Sequence, residues 1–253
     1  MRKPFTFSPG GIVSADIAVP QHDVELNFYK AILTTGPNPL WQEDLLNSSG
    51  TPVIGLGERT PEYEMVPLQW MPHFQVADVA ASTNLATELG GKIILRDESE
   101  GSPCQWACIE DVNGTAFGVI PVVPESQGDA EAFDQQGRIA WLSLWVADSK
   151  PICKFYEQVV GWSVDSDSPA SAEQPPRFEM LTAPDISAAE IVQCDPETLE
   201  IPAVWLIHLP VGDLSESLRL VGELGGSVVR ELADPKHAII RDPVGVYFAL
   251  QEN

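Results

Sequence analysis

Basic residues are scarce in this chain of 253 residues. Lysine and arginine number 14 against 37 aspartates and glutamates, which gives a formal net charge of −23. Such a protein repels a phosphate backbone, so the sequence predicts no nucleic-acid partner. We interpret the acidity as a hydrated surface rather than as a docking site for a basic partner.

Cysteine is also scarce, and no long hydrophobic run occurs. The four cysteines, Cys104, Cys108, Cys153 and Cys194, form no CxxC pair and are too sparse for a disulfide scaffold, so we predict reduced, mostly buried thiols. No apolar stretch approaches the roughly 20 residues of a membrane-spanning helix. The N-terminal segment MRKPFTFSPGG lacks the apolar core of a secretory signal. The sequence therefore predicts a cytoplasmic protein with no membrane partner.

Short motifs of several enzyme classes are missing as well. The chain contains no GxSxG, GxGxxG or Walker loop. The segment GLGERT follows a predicted strand but lacks the Lys-Ser/Thr ending that a phosphate-binding loop needs. Nothing in these motifs indicates a nucleotide-binding protein or a serine hydrolase.

An internal repeat is the strongest signal that is present. WMPHFQVAD at 70–78 and WLIHLPVGD at 205–213 share Trp, His, Val and Asp at one spacing and lie 135 positions apart. Three other features recur: Gly90 and Gly91 as Gly225 and Gly226, Phe28 and Tyr29 as Phe155 and Tyr156, and the turn DVNG at Asp111 as DPVG at Asp242. The chain therefore consists of similar parts.

Four segments follow one order of an opening strand, a short helix and extended stretches. These modules span residues 12–60, 68–122, 138–195 and 201–251. They predict an α+β fold with a first domain at 1–123 and a second at 138–253. Residues 124–137 carry turn-forming and acidic residues without apolar periodicity, which is typical of a linker.

Alternation in the opening strands predicts which side chains face a cavity. Successive side chains of a strand point to opposite faces, and the apolar face should cover the following helix. His73, Gln75 and His208 then point to the other face of the sheet. The same phase places Asp16 in the first module and Ser143 in the third at equivalent positions.

Apolar side chains share this second face. Met71 lies on the side of His73, and Trp141 and Trp145 lie on the side of Ser143. The tryptophans either stack on a ligand or fill space. The alternative for each histidine is a hydrogen-bonded wall residue that touches no ligand.

The module order, with the segments VPQHDVELNFYKAIL, VADSKPICKFYEQVVGW, DVNGTAFGVI and DPVGVYFALQ, resembles the vicinal-oxygen-chelate superfamily. This group contains glyoxalases, bleomycin-resistance proteins and extradiol dioxygenases, and the chain looks like its two-domain glyoxalase-like members from bacteria. The resemblance implies four βαβββ modules, paired into two domains with curved mixed sheets. It also implies a metal held by His, Gln or Glu on the first and last strands, acting as Lewis acid or oxygen activator.

Most of the family's ligand positions lack a donor here. The early first-strand position falls on Ser14, Met71, Trp141 and Leu206, and the last-strand glutamate position falls on Gly55, Gly118, Glu190 and Ala249. Aliphatic side chains and glycine cannot replace metal ligands, so we predict no resident cofactor. For a divalent metal at a displaced site, the ligands would be Glu190, His208 and Gln251.

The sequence thus predicts a protein that encloses a small organic metabolite in one or both curved-sheet cavities. His73 with Asp16, and His208 with Glu190, would supply orientation or acid–base chemistry. The remaining ligand contacts would come from Met71, Gln75, Trp141, Ser143 and Trp145.

Whether the protein is an enzyme stays open at this point. The first alternative is a metal-dependent lyase, isomerase or dioxygenase of the same superfamily. The second is a non-catalytic interaction protein with filled cavities. Fold similarity cannot choose among these, because one fold hosts several activities. A monomer and a homodimer both agree with the sequence.

Overall fold

The computed structural model describes residues 6–97, 99, 103–124, 137–165, 175–183, 185–195, 201–233 and 236–253. The described residues contain 14 strands and four α-helices, arranged in mixed sheets of six and eight strands. This is the α+β architecture predicted from the module pattern, which is thereby confirmed. The predicted linker at 124–137 lies, except for its two end residues, outside the described residues.

Each module opens with a strand and continues into a helix. The elements of the first half are β1 Ile12–Val19, α1 His22–Leu33, β2 Ile54–Glu58, β3 Met71–Val76, α2 Val79–Glu88, β4 Lys92–Arg96, β5 Ala107–Glu110 and β6 Ala116–Pro121. Those of the second half are β7 Trp141–Val146, α3 Ser149–Val159, β8 Ser163–Asp165, β9 Arg177–Thr182, β10 Ile186–Gln193, β11 Trp205–Val211, α4 Leu214–Glu223, β12 Ser227–Ala233, β13 Lys236–Arg241 and β14 Tyr247–Glu252.

The first module contains fewer strands in the described residues than its extended stretches led us to predict. Its segment PLWQEDLL forms only isolated bridges, such as that between Trp41 and Asn47. Pro37 precedes this segment and Pro39 opens it, and neither has a backbone N–H to donate, which disfavours a ladder. The Asn47 side chain instead accepts bonds from Ser49 and Thr51, which closes a local turn.

The chain divides into two compact units that are not its two halves. Unit 1 comprises Met1–Val13, Met71–Pro124 and Trp141–Trp205, and unit 2 comprises Ser14–Trp70, Glu125–Ala140 and Leu206–Asn253. In unit 1, helix α2 packs against α3; in unit 2, α1 packs against α4. The domains at 1–123 and 138–253 stay a prediction based on the sequence duplication.

Within each unit the strands keep a simple order. Unit 1 contains the runs β4-β5-β6-β3 and β8-β9-β10-β7, and unit 2 contains β2-β1 and β12-β13-β14-β11. In every module the opening strand pairs in parallel with the last strand, while the hairpins between neighbouring strands are antiparallel. The described residues include no helix long and apolar enough to cross a membrane.

A buried hydrogen-bonded chain anchors the helix side of unit 1. The indole of Trp205 donates to the Tyr156 hydroxyl over 2.8 Å, and that hydroxyl donates to Oδ2 of Asp111 over 3.1 Å. The other carboxylate oxygen of Asp111 accepts from the backbone N–H groups of Asn113 and Thr115. The repeated DVNG turn is therefore tied to helix α3.

Unit 2 repeats this chain with its own residues. Trp70 donates to the Tyr29 hydroxyl over 3.0 Å, and Tyr29 donates to Oδ2 of Asp242 over 3.1 Å. Oδ1 of Asp242 accepts from the N–H groups of Val244 and Val246. The repeated tryptophan, tyrosine and Asp-turn of the sequence therefore form the same series of hydrogen bonds in both units.

The repeated glycine pairs have a physical reason. Gly90 and Gly225 follow α2 and α4 with φ of +91°, a conformation that other residues rarely adopt and that ends both helices as the sequence predicted. The second glycines touch aromatic rings of the partner helix. A Cβ on Gly91 would lie 3.0 Å from the Phe155 ring, and a Cβ on Gly226 would lie 2.9 Å from the Phe28 ring.

The aspartates that end the opening strands cap the helices. Asp78 accepts from the N–H of Ala81, and Asp213 accepts from that of Glu216, both over 2.9 Å. In the third module Asp148 is the N-cap of α3, and its side chain accepts from the backbone N–H of Lys150. These caps satisfy helical N–H groups that have no intrahelical partner.

Candidate functional site

The predicted site positions are equivalent in the four modules. The structure pairs each of them in register with the last-strand position at which the superfamily carries glutamate: Asp16 with Gly55, His73 with Gly118, Ser143 with Glu190, and His208 with Ala249. The register thus puts Asp16 and Ser143 at strand positions equivalent to those of His73 and His208, and their role in a site stays a prediction. A small residue stands opposite each large polar one, and only the small Ser143 faces a glutamate.

In unit 2 these side chains lie on the sheet face away from α1. The ring of Phe248 contacts Phe28 and Tyr29 of α1, so Phe248 points to the helix side. Its neighbour Ala249 points to the opposite face, as does its strand partner His208. In unit 1 Phe74 contacts Tyr156 of α3, which likewise puts His73 on the face away from that helix.

Two histidines meet on this face of unit 2. The ring of His208 on β11 lies 5.0 Å from that of His237 on β13, measured between centroids. Their exposed fractions are 2% and 8%. Between them runs β14, where Ala249 is the partner of His208 and Gln251 that of His237. The small side chain of Ala249 leaves room for the two rings to approach.

Sequence reasoning did not find His237. A histidine near the start of a strand is more often an exposed polar residue, which we expected of His237, but its side chain is buried. The alternation in HAIIRD puts His237 and Ile239 on one face, and the pairing of Ile239 with Ala249 shows that this is the face of His208. That pairing involves residues distant in sequence, so local pattern alone could not reveal it.

Glu190 is the one carboxylate among the four last-strand positions. Its exposed fraction is 7%, and Oε2 accepts from Nη1 of Arg177 on β9 over 2.8 Å. Arg177 was not among the predicted residues. Trp141 and Trp145, on the same strand face as Ser143, are 2% and 5% exposed. Unit 1 thus holds an ion pair whose carboxylate is buried and whose guanidinium is partly exposed, and it also buries these two indoles.

The side-chain amide of Gln75 is hydrogen-bonded to backbone groups. Its Nε2 donates to the carbonyl of Thr6 over 2.5 Å, and its Oε1 accepts from the N–H of Val123 over 2.9 Å. The side chain is fully buried, so it fixes the N-terminal segment and the end of β6. Its predicted contact with a ligand stays a prediction.

Two of the predicted partnerships join residues of different compact units. Asp16 belongs to unit 2 and His73 to unit 1, while Glu190 belongs to unit 1 and His208 to unit 2. Their cooperation in one site stays a prediction. The groups that the structure does bring together within a unit are His208 with His237, and Glu190 with Arg177.

The donor set does not fit the divalent metal implied by the superfamily. Within the described parts of the chain, no three His, Cys, Asp or Glu side chains are grouped so as to hold a metal ion. Gly55, Gly118 and Ala249 offer no side-chain donor at the glutamate position, and Glu190 is bound to Arg177.

Comparisons of sequence and of structure with known proteins both support the fold. Residues 141–251 match the model of a family described as a glyoxalase-like domain. The anthracycline biosynthesis proteins DauV of Streptomyces sp. (strain C5) and DnrV of Streptomyces peucetius are each 26% identical over 191 residues. The match covers 74% of this chain and 66% of each relative, slightly less than two thirds of their length.

Solved structures share the architecture across nearly the whole chain. An extradiol ring-cleaving dioxygenase from B. fuscum superposes with a TM-score of 0.55 at 12% identity, covering 96% of this chain and 71% of the enzyme. The Mn(II)-bound glyoxalase from Novosphingobium aromaticivorans gives 0.54 at 13% identity, covering 95% and 81%. At such identities the likeness shows the fold alone. The resemblance noted in the sequence is confirmed at that level.

Proposed function

We propose that this chain, which has the fold of the vicinal-oxygen-chelate superfamily and matches a glyoxalase-like family model over residues 141–251, binds a small oxygen-bearing aromatic molecule. The binding surface is the sheet face directed away from the helices. The observation that carries the proposal is the pair of buried histidines in unit 2, His208 and His237.

The polarity of this face supports the proposal. Burying an imidazole costs free energy unless its nitrogens find partners, so a face built only for packing would carry apolar side chains. Instead two rings lie 5.0 Å apart, with Gln251 paired to His237 on the adjacent strand. Each imidazole can donate or accept a hydrogen bond, which suits carbonyl and hydroxyl oxygens of a ligand.

The names of two relatives suggest the aromatic ligand class. The relatives DauV and DnrV are named as anthracycline biosynthesis proteins. Anthracyclines are fused aromatic rings with carbonyl and hydroxyl groups, so they are the first compounds to test.

Acid–base chemistry would follow from the same residues. An imidazole near neutrality can hold or move a proton of a bound hydroxyl or of a carbon next to a carbonyl. His208 is the residue we assign to that role, and His237 would orient the ligand beside it. Binding is the primary claim, and turnover is a further consequence of it.

The test is a fluorescence titration with doxorubicin, an anthracycline, and with its sugar-free aglycone. Wild-type protein should bind the aglycone, with quenching of tryptophan fluorescence. His208→Ala and His237→Ala should each weaken binding at least about tenfold, since losing one hydrogen bond to a buried group costs about 1–3 kcal/mol. Unchanged affinity in both variants would refute the assignment.

A matched control separates binding from folding. His22→Ala removes a half-buried histidine of unit 2 at the start of α1, whose Nε2 lies 3.2 Å from the carbonyl oxygen of Leu56 on β2. This variant should bind the aglycone as the wild type does. Thermal unfolding of all three variants should show a folded protein. Absence of binding by the wild type would contradict the proposed ligand class.

A further inference from the structure

Two sulfur atoms meet on the sheet face of unit 1. The thiol of Cys108 on β5 donates to Sδ of Met71 on β3, with 3.3 Å between the sulfurs. Met71 and His73 alternate along β3 and therefore point to the same face. Cys108 is 7% exposed, whereas Met71 and His73 are half-buried. The group is thus shielded but reachable.

A glycine makes this meeting geometrically feasible. Strands β3 and β5 are separated by β6, and neighbouring strands lie about 4.8 Å apart. Gly118 on β6 is the register partner of both His73 and Cys108. A Cβ at this position would lie 2.6 Å from Cδ2 and 3.4 Å from Nε2 of His73. Side chains from β3 therefore cross β6 above the bare backbone of Gly118, toward Cys108.

A thiol, a thioether and an imidazole share this face of the sheet around Gly118, and together they form a soft donor set. Sulfur ligands of this kind select monovalent copper over hard divalent ions such as Mg²⁺ or Mn²⁺. We propose that Met71, His73 and Cys108 form a binding site for a soft monovalent metal ion, Cu(I) by preference. Met71 stands at the early first-strand ligand position of the superfamily, and the site does not depend on the ligand proposed for unit 2.

The binding step is a proton exchange. The S–H bond of Cys108 breaks, a bond from its Sγ to Cu(I) forms, and the proton goes to buffer, with no electron transferred. Burial, together with the nearby Glu110, raises the pKa of the Cys108 thiol to about 12. The thiol proton must therefore be displaced when Cu(I) binds.

The test is an anaerobic titration of the protein with Cu(I) in competition with bicinchoninate, a coloured Cu(I) chelator. Wild-type protein should withdraw one equivalent of Cu(I), with release of one proton. Cys108→Ser should lose this binding, and Met71→Leu should weaken it at least about tenfold. Bound Cu(I) should also protect Cys108 of the wild-type protein from alkylation, which mass spectrometry can locate without any variant.

Cys153→Ser is the matched control. Cys153 is a second buried thiol of unit 1, on α3, and burial raises its pKa to about 11. Its loss should leave Cu(I) binding unchanged. Equal binding by wild type and Cys108→Ser would overturn the proposal. So would loss of binding in Cys104→Ser, because the metal would then sit on a more accessible thiol.

Discussion

Unit 1 and unit 2 bury the same chain of tryptophan, tyrosine and aspartate, but only unit 2 adds a second carboxyl group. Glu25 lies four residues before Tyr29 on α1, and Ile152 lies four residues before Tyr156 on α3. Both side chains are fully buried. Neither oxygen of Glu25 makes a hydrogen bond of standard geometry in the described part of the chain. Isoleucine fills the equivalent position in unit 1, so packing at this position does not require a carboxyl group.

The extra carboxyl should make unit 2 sensitive to pH. Burial and the charge of neighbouring Asp242 raise the pKa of Glu25 from 4.5 to about 8. The pKa of Asp242 is also raised, chiefly by burial. A folded-state pKa above the unfolded value means that the protein holds the proton more tightly when folded. Stability from Glu25 is therefore complete below pH 4.5 and is lost as the pH rises to about 8.

The largest expected effect comes from replacing the aspartate in each unit's Trp–Tyr–Asp series of hydrogen bonds by alanine. Asp111→Ala leaves the N–H groups of Asn113 and Thr115 and the Tyr156 hydroxyl without their acceptor. We expect a loss of about 4 kcal/mol in unfolding free energy, measured by urea denaturation at pH 7. Asp242→Ala breaks the equivalent bonds but also removes the charge beside Glu25, so it should cost less. A larger cost for Asp242→Ala would contradict this account.

A smaller effect is expected from neutralising the extra carboxyl. Glu25→Gln should flatten the fall in stability between pH 5 and 8 and gain about 2 kcal/mol over wild type at pH 8. Unfolding free energies at pH 5, 6, 7 and 8 test this. Ile152→Glu is the reciprocal variant, and it should give unit 1 a new loss of stability over the same range. Parallel pH curves for wild type and Glu25→Gln would show that Glu25 is not the titrating group.

The smallest effect concerns the other side of the sheets, where the two units differ in chemistry. Gly118→Ala introduces a Cβ 2.6 Å from the His73 ring, so that ring must move. We expect a cost of about 1 kcal/mol in thermal unfolding, as for mild overpacking. An unchanged unfolding midpoint for Gly118→Ala would contradict the placement of the His73 ring over Gly118.

Periodicity predicted what depends on local geometry. The two-residue repeat of a strand fixes which face a side chain occupies, and the register of Asp16 with Gly55 and of Ser143 with Glu190 agrees with that phase. The glycine pairs that end two helices and the order of the helices could be read from the sequence for the same reason, because φ angles and helix ends are local properties.

Contacts between distant strands could not be predicted in this way. His237 meets His208 only through the ladder of β13 on β14 and of β14 on β11. Arg177 reaches Glu190 through the β9–β10 hairpin, whose register shifts at a bulge between Ser187 and Ala189. A shift of one residue moves a side chain to the other face of a sheet, so sequence alone leaves such pairs undetermined.

The most direct test of the binding claim observes the histidines themselves. The chain has four, so NMR of protein labelled in the imidazole rings gives four sets of signals, assignable with single His→Ala variants. Addition of doxorubicin aglycone should shift the ring signals of His208 and His237 and leave those of His22 in place. Shifts confined to His22, or no shift in any ring at saturating aglycone, would contradict the proposed function.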